Sequence, residues 1–205
     1  MKFCLFLLMA GGLWAAGSPR LFYSKSFPGS APPYVQITLE KNGDAAYREA
    51  PDDDSPITFR LTESQTAEVF GLADKLDHFK RPLEAKAKVA FMGAKTLRYE
   101  DGDAKSEVKF NYTQDPDAQM LVDWFERMAE SAQRRIDLER TVKYDKLGVV
   151  DSLLQLQISM DKNRIVAPEQ FLPMLDRIVK NDSYMHTAQS RAAEIAEHIR
   201  AAVKP

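Results

Sequence analysis

The spacing of the hydrophobic residues changes near Asp115, and this change constrains the fold more than any other feature of the sequence. From residue 21 to about residue 112, apolar and polar side chains alternate in short runs, as in Val35, Ile37 and Leu39. Such alternation is typical of strands with one buried face. After Asp115 the apolar residues recur at helical spacing. The sequence therefore predicts an α+β fold, with an antiparallel sheet followed by helices.

The predicted sheet consists of short β-rich runs joined by tight turns. Asn42-Gly43 predicts a hairpin turn, because both residues tolerate positive φ, and residues 101–103 predict a second one. The predicted strands are residues 21–26, 34–40, 45–49, 57–61, 88–91, 96–100 and 106–112.

One helix interrupts these strands and is predicted to cover one face of the sheet. Thr62 and Gln65 have the spacing of a capping box, in which the hydroxyl and the amide satisfy backbone donors of the first turn. Pro82 ends the helical pattern. The apolar positions between these residues share one broad helical face. They are Val69, Phe70, Leu72, Ala73, Leu76 and Phe79.

A helical unit is predicted for the second part of the chain. Asp115-Pro116 has the form of a helix cap followed by a first-turn proline. Residues 130–140 are heavily charged, so this part of the helix is predicted to project into solvent or to bridge to the next unit. We divide the chain into a β-rich α+β domain, residues 17–130, and a helical C-terminal unit of about three to four helices, residues 131–205.

Residues 1–16 have the pattern of a signal peptide. Lys2 supplies a positive charge, residues 3–10 form an apolar run, and Ala15-Ala16 offers small residues for cleavage. The apolar stretch is shorter than the roughly 20 residues that a membrane-spanning helix needs. The sequence therefore predicts an exported protein, periplasmic or extracellular, without a stable transmembrane anchor after cleavage.

Cleavage would remove Cys4, the one cysteine of the chain, and would leave 27 basic against 30 acidic residues. A mature protein without cysteine forms no disulfide and has no reactive thiol. An exported protein without disulfides is more typical of the bacterial envelope, so this compartment is favoured. The nearly balanced charge gives no electrostatic footprint for nucleic acid, so nucleic-acid binding is not predicted.

A few motifs of the first part resemble a known but uncharacterised family. They are Tyr23-Ser24-Lys25-Ser26, Pro33-Tyr34-Val35-Gln36-Ile37, the Asn42-Gly43 turn with Tyr47, and the helix that ends at Phe79. Residues 21–128 resemble a bacterial secreted domain of unknown function, in which a Pro-x-Tyr strand opens a hairpin ahead of a covering helix and a second hairpin. Pro32-Pro33-Tyr34 fits that strand. The whole chain is also similar to secreted proteins of soil bacteria with no assigned activity, so the resemblance implies a fold and no chemistry.

The sequence contains no spacing that selects a catalytic, cofactor-binding or metal site. The three histidines lie outside metal-binding spacings, and no phosphate loop, dinucleotide fingerprint or nucleophile elbow occurs. Asp52, Asp53 and Asp54 form the one candidate cation loop, since hard cations prefer carboxylate oxygens, but adjacent aspartates lack the alternating spacing of a specific calcium loop. Solvated turn residues are the default interpretation, and no cofactor is predicted.

Three hypotheses about function remain open at this point. The first is a non-catalytic, exported protein-interaction module that binds another envelope protein. The second is a module for a small molecule, a glycan or a cation, which would use the region of Tyr23, Tyr34 and Tyr47 or the loop 52–54. The third is a hydrolase whose site is assembled from distant residues. The oligomeric state and the identity of a partner do not follow from the sequence.

Overall fold

The computed structural model describes residues 18–203, which form one antiparallel sheet of six strands and five α-helices. The predicted α+β fold is confirmed, with a helix after the first strands and helices throughout the C-terminal part. The predicted signal peptide, residues 1–16, lies outside the described residues.

The sheet is a meander that is extended on its other side by a second hairpin. In spatial order the strands are β4, β3, β2, β1, β5 and β6, and every neighbouring pair is antiparallel. The strands are β1 (Arg20–Ser26), β2 (Tyr34–Glu40), β3 (Asp44–Arg48), β4 (Ile57–Arg60), β5 (Ala94–Asp101) and β6 (Ala104–Phe110). The helices are α1 (Glu63–Lys75), α2 (Pro116–Tyr144), α3 (Val149–Asp161), α4 (Leu172–Val179) and α5 (His186–Val203).

The predicted strand at residues 88–91 is wrong. These residues belong to a loop between α1 and β5, and the side chains of Val89 and Phe91 are exposed. Side-chain hydrogen bonds of Asn111 to Ala90 O and Met92 N hold this loop in place of a ladder with a strand. Strand propensity alone, without pairing, does not make a strand.

Register places one apolar row across the inner face of the whole sheet. Tyr23 of β1 lies opposite Ile37 on one side and Leu97 on the other. The same row continues outward to the edges of the sheet, so six strands contribute to one band of core. In order from β4 to β6 the row is Ile57, Tyr47, Ile37, Tyr23, Leu97 and Val108.

Two helices, α1 and the first half of α2, cover this face. The predicted capping box of α1 is present, with Gln65 N donating to Thr62 Oγ1 and Thr62 N donating to Gln65 Oε1. In α2 the ring of Phe125 stacks on that of Tyr23, with centroids 4.9 Å apart and planes 5° from parallel. Both rings are fully buried, so α2 is fixed directly over the central strand.

Helix α2 also joins the sheet to the helical unit. Its 29 residues run without a break through the predicted boundary between residues 130 and 131. Residues up to Ala132 pack into the core of the sheet, whereas Leu138 packs into a second core together with α3, α4 and α5. The charged segment 130–140 therefore bridges the two parts, as one of the two predicted alternatives stated.

The hairpin turn at Asn42-Gly43 depends on glycine. Gly43 has φ of +91°, and a Cβ at this position would lie 2.7 Å from the carbonyl oxygen of Leu61. That carbonyl cannot withdraw easily, because Leu61 N donates to Gly43 O at 2.9 Å and so ties the end of β4 to the turn.

Within residues 18–203, no helix combines the length and the apolar character that crossing a bilayer requires.

Because α2 belongs to both cores, we expect the two parts to unfold together. Leu153→Ala in the helical core should lower the free energy of unfolding by about 2–5 kcal/mol. It should shift the denaturation midpoint seen by Trp124 fluorescence, which reports on the sheet side, as much as the midpoint seen by far-UV circular dichroism. The neighbouring Leu154→Ala, at a half-exposed position, is the matched control and should cost less than about 1 kcal/mol. Separate midpoints for the two signals would contradict this coupling.

Candidate functional site

The apolar inner face of the sheet is interrupted by two adjacent lysines on the neighbouring strands β1 and β5. Lys25 of β1 and Lys95 of β5 lie directly opposite each other. They are the next pair on the same face after Tyr23 and Leu97, two residues further along each strand. The neighbours of this lysine pair along the row are Val35 on β2 and Phe110 on β6. Like charges directly opposite on a sheet are destabilising, and central inner-face positions are normally apolar. This break in the pattern marks the surroundings as a candidate functional site.

The two lysines have different environments. Lys25 Nζ donates to Glu126 Oε1 of α2 at 3.0 Å, so its charge is compensated. Lys95 is only 8% exposed, and its Nζ donates to two backbone carbonyls, those of Asn111 at 2.9 Å and Met92 at 3.4 Å. Burial, and then the neighbouring charge of Lys25, lowers the pKa of Lys95 below its usual range.

On one side of the Lys25–Glu126 pair lies an open groove of about 360 Å³, which we call the junction groove. One wall comes from β1, β2 and the loop between them, and the other comes from α2 and from Arg164 after α3. Both parts of the chain therefore build it. Its lining residues are Tyr23, Lys25, Phe27, Ser30, Ala31, Pro32, Val35, Glu126, Ala129, Glu130, Gln133, Arg134 and Arg164.

The helical wall of the junction groove is held by a network of charges. Arg164 Nε donates to Glu130 Oε2 at 3.0 Å, and Arg164 Nη1 also donates to Asp123. Ser159 Oγ donates to the other oxygen of Glu130 at 2.8 Å and accepts from Arg134 Nε at 3.3 Å. These contacts join α2, α3 and the loop that follows α3, so the wall is preorganised before any ligand arrives.

A buried serine fixes the loop that presents Arg164. Ser131 Oγ accepts from Val166 N at 2.8 Å and donates to the carbonyl of Arg127 at 2.8 Å. Val166 is itself buried in the core of the sheet. The loop after α3 therefore returns to the sheet side and carries Arg164 over the groove.

The hydroxyl of Tyr23 lies at the floor of the junction groove without a hydrogen-bond partner among the described residues. Burial, and then the charge of Glu126, raises the pKa of Tyr23 above its usual value. By contrast Tyr47, in the same row, donates to Glu49 Oε1 at 2.9 Å and accepts from Gln133 Nε2 at 3.2 Å. A buried hydroxyl without a partner is costly, and a polar ligand atom that reached the floor of the groove would satisfy it.

On the other side of the Lys25–Glu126 pair is a smaller pocket of about 200 Å³, which we call the Lys95 pocket. It opens at the end of β6 beside α2 and mixes apolar and polar residues. They are Lys25, Met92, Lys95, Phe110, Asn111, Tyr112, Thr113, Gln119, Val122, Asp123 and Glu126.

An exposed apolar loop, residues 89–92, lies beside both cavities. Val89, Phe91 and Met92 are between 41% and 55% exposed. The ring of Phe91 meets the edge of Phe27 at 5.9 Å, and Phe27 lines the junction groove. The loop is ordered by Asn111, whose side chain donates to the carbonyl of Ala90 at 3.1 Å and accepts from Met92 N at 2.6 Å.

Gly93 lets this loop approach the groove. It has φ of +99°, and a Cβ there would lie 3.2 Å from side-chain atoms of both Lys25 and Phe27. The backbone of the loop thus packs directly against two residues of the junction groove.

The structure separates the tyrosines that the sequence grouped. Tyr23 and Tyr47 face the helices, whereas Tyr34 lies on the opposite face of the sheet from Val35 and Ile37 and donates to Gln36 Oε1 at 2.9 Å. Tyr23 alone among the three reaches the junction groove with its hydroxyl free.

The candidate cation loop is a turn. Asp53 Oδ1 accepts from Ser55 N at 2.9 Å, and Arg48 Nε donates to the carbonyl of Asp53 at 3.2 Å. Asp52 and Asp54 are exposed. Within residues 18–203, no three His, Cys, Asp or Glu side chains converge as a metal site would require.

Sequence reasoning did not select Lys25, Lys95, Glu126 or Arg164. One local signal was present, because Lys25 follows Leu21 and Tyr23 in the inward alternation of β1. The pairing of Lys25 with Lys95, however, follows from long-range register, which no local pattern encodes.

Comparisons of this chain with protein-family models and with curated protein sequences found no match.

The orphaned hydroxyl leads to a stability prediction. We expect Tyr23→Phe to leave the free energy of unfolding unchanged or to raise it, because it removes a buried group that has no partner. Tyr47→Phe is the matched control and should lose about 1 kcal/mol, because its hydroxyl makes two hydrogen bonds. Urea denaturation of both variants measures the difference. An equal loss in the two variants would mean that Tyr23 has a partner within the protein.

Proposed function

We propose that this chain is a non-catalytic protein-interaction module of the cell envelope, and that it binds an extended segment of a partner protein in the junction groove. The observation that supports this most strongly is the position of the apolar loop beside the groove. Phe91 touches Phe27, and Phe27 lines the groove, so apolar anchors and charged groups form one continuous surface.

The composition of this surface is that of a recognition site. Aromatic residues, methionine and arginine are enriched in protein interfaces, and here Phe27, Phe91, Met92, Arg134 and Arg164 border the cavities. Exposed apolar side chains that cluster next to a groove are typical of binding surfaces. The order that Asn111 gives to the loop reduces the entropy lost on binding.

The charges of the groove suit recognition better than proton transfer. Lys25 is paired with Glu126, and Arg164 is paired with both Glu130 and Asp123. Groups held in ion pairs present fixed donors and acceptors to a bound chain, whereas a general acid or base works best with a pKa near neutrality and a free proton path.

The edges of the sheet favour the groove over strand addition as the binding mode. Edge strand β4 has four residues, and the carbonyl of Thr58 on it accepts from Arg135 Nη1 at 3.0 Å. Edge strand β6 exposes the charged side chains of Lys105, Glu107 and Lys109. Short strands and charged side chains are the usual protection of an edge against pairing with another chain.

The proposed compartment rests on residues 1–16 and on the cysteine that cleavage would remove. In the bacterial envelope the partner would be another exported protein.

Site-specific photocrosslinking in the native host tests the proposal. A benzophenone amino acid at Ala31, an exposed position on the rim of the groove, should capture a defined partner, and the same amino acid at Ser190 on α5 should not. Phe91→Ser in the Ala31 background should reduce capture about tenfold, as expected when an interface anchor worth more than 1 kcal/mol is lost.

Leu147→Ser is the control for the loss of an exposed apolar side chain, because Leu147 is 75% exposed at the far turn between α2 and α3. It should leave capture unchanged. Equal capture from Ala31 and Ser190, or equal loss in the two serine variants, would contradict a partner in the junction groove.

One observation favours a second function, the binding of a small molecule in the same groove. The free hydroxyl of Tyr23 is buried at its floor, and 360 Å³ lies at the lower end of the range for small-ligand cavities. Glycans and other polar compounds that bind there should raise the melting temperature of the wild type but not of Tyr23→Phe. Stabilisation of both proteins to the same extent would place the ligand elsewhere.

A further inference from the structure

Building on the proposed function, we propose that the Lys95 pocket receives a carboxylate of the bound segment, and that Lys95 Nζ is the group that recognises it. The carboxylate is either the C-terminus of the partner chain or the side chain of an Asp or Glu within it. Both sources offer the same oxygen pair to the same ammonium group.

The charged residues around the pocket leave one lysine without a direct ion pair. Glu126 is paired with Lys25 at 3.0 Å, and Asp123 is paired with Arg127 at 3.0 Å and with Arg164. Among residues 18–203, no carboxylate forms a direct ion pair with Lys95 Nζ, although the charges of Glu126 and Glu84 act on it from farther away. Lys95 is therefore the lysine of this pocket that a ligand carboxylate can still pair with directly.

The hydrogen bonds of Lys95 are also incomplete. An ammonium group has three donors, and Lys95 Nζ uses two of them on the carbonyls of Asn111 and Met92. The third donor is left free at the wall of the pocket. Carbonyl oxygens orient the group but do not neutralise it, and a buried charge without a counterion is costly unless a ligand supplies one.

The position of the pocket agrees with a segment that crosses from the junction groove. The two cavities share Lys25 and Glu126, so a chain lying in the groove reaches the Lys95 pocket by passing over that ion pair. Met92, Phe110 and Val122 supply apolar walls next to Lys95. A carboxylate on or beside an apolar residue is the chemistry that matches such a site.

Binding of short peptides to the whole mature protein tests the proposal. Three probes share one dipeptide frame and differ in where they place a carboxylate: acetyl-Ala-Phe with a free C-terminus, acetyl-Glu-Phe amide, and the neutral acetyl-Ala-Phe amide. Chemical-shift titration by NMR should give at least about tenfold tighter binding for one of the two acidic probes than for the neutral one. The preferred acidic probe identifies the source of the carboxylate.

Variants of Lys95 assign the effect to that residue. Lys95→Met should abolish the preference for the carboxylate, and Lys95→Arg should keep it in part because the positive charge remains. Lys86→Met, at an exposed lysine of the loop between α1 and β5, should keep it in full. If Lys95→Met does not fold, the comparison of Lys95→Arg with Lys86→Met still decides, since only the former should alter the affinity ratio.

Equal affinities for all three probes in the wild type, or a preference that survives Lys95→Met, would overturn the proposal. These outcomes bear on Lys95 and do not by themselves decide the proposed function. Partner capture at Ala31 without a carboxylate preference would overturn the role of Lys95 alone. A preference that depends on Lys95 without any partner capture would overturn the interaction module and leave an anion site.

Discussion

The stacking of Phe125 on Tyr23 fixes the rest of the structure, because it sets helix α2 over the central strand of the sheet. From that contact α2 continues beyond the sheet and supplies Leu138 to the helical core. Because α2 packs into the core of the sheet at one end and into the helical core at the other, it fixes the two parts relative to each other. The two cores are therefore coupled by packing rather than by a flexible linker.

The same contact creates the cavities. Beyond this contact α2 covers the neighbouring ends of β1 and β5 less tightly, and Lys25 and Lys95 lie there beside the two cavities. Further apolar residues there would have extended the core. Two opposed lysines, only one of them with a carboxylate partner, lower stability where the rest of the inner face raises it. Proteins keep such destabilising residues mainly at sites that bind a ligand or a partner.

Structural features that depend on residues close together in the chain are predicted well from the sequence. The capping box of Thr62 and Gln65 and the turn at Asn42-Gly43 could be read directly, because each is closed by residues a few positions apart. Residues 88–91 have strand propensity but pair with no strand, so the prediction from propensity alone was wrong. The lysine pair depends on β5 joining β1 after three other strands and α1, and this register is set by tertiary packing.

Lys25 and Lys95 are thus expected to serve binding and not folding. The free energy of unfolding of the double variant Lys25→Met, Lys95→Met, measured by urea denaturation of the mature protein, decides between the two roles. Methionine keeps the length of both side chains and removes the two opposed charges, while Glu126 stays partly exposed to water. We expect the unfolding free energy to rise or to stay within about 1 kcal/mol of the wild type, because removing two opposed charges offsets the hydrogen bonds that the ammonium groups lose. A loss of more than about 2 kcal/mol would show that the lysines hold the fold together, and would contradict the claim.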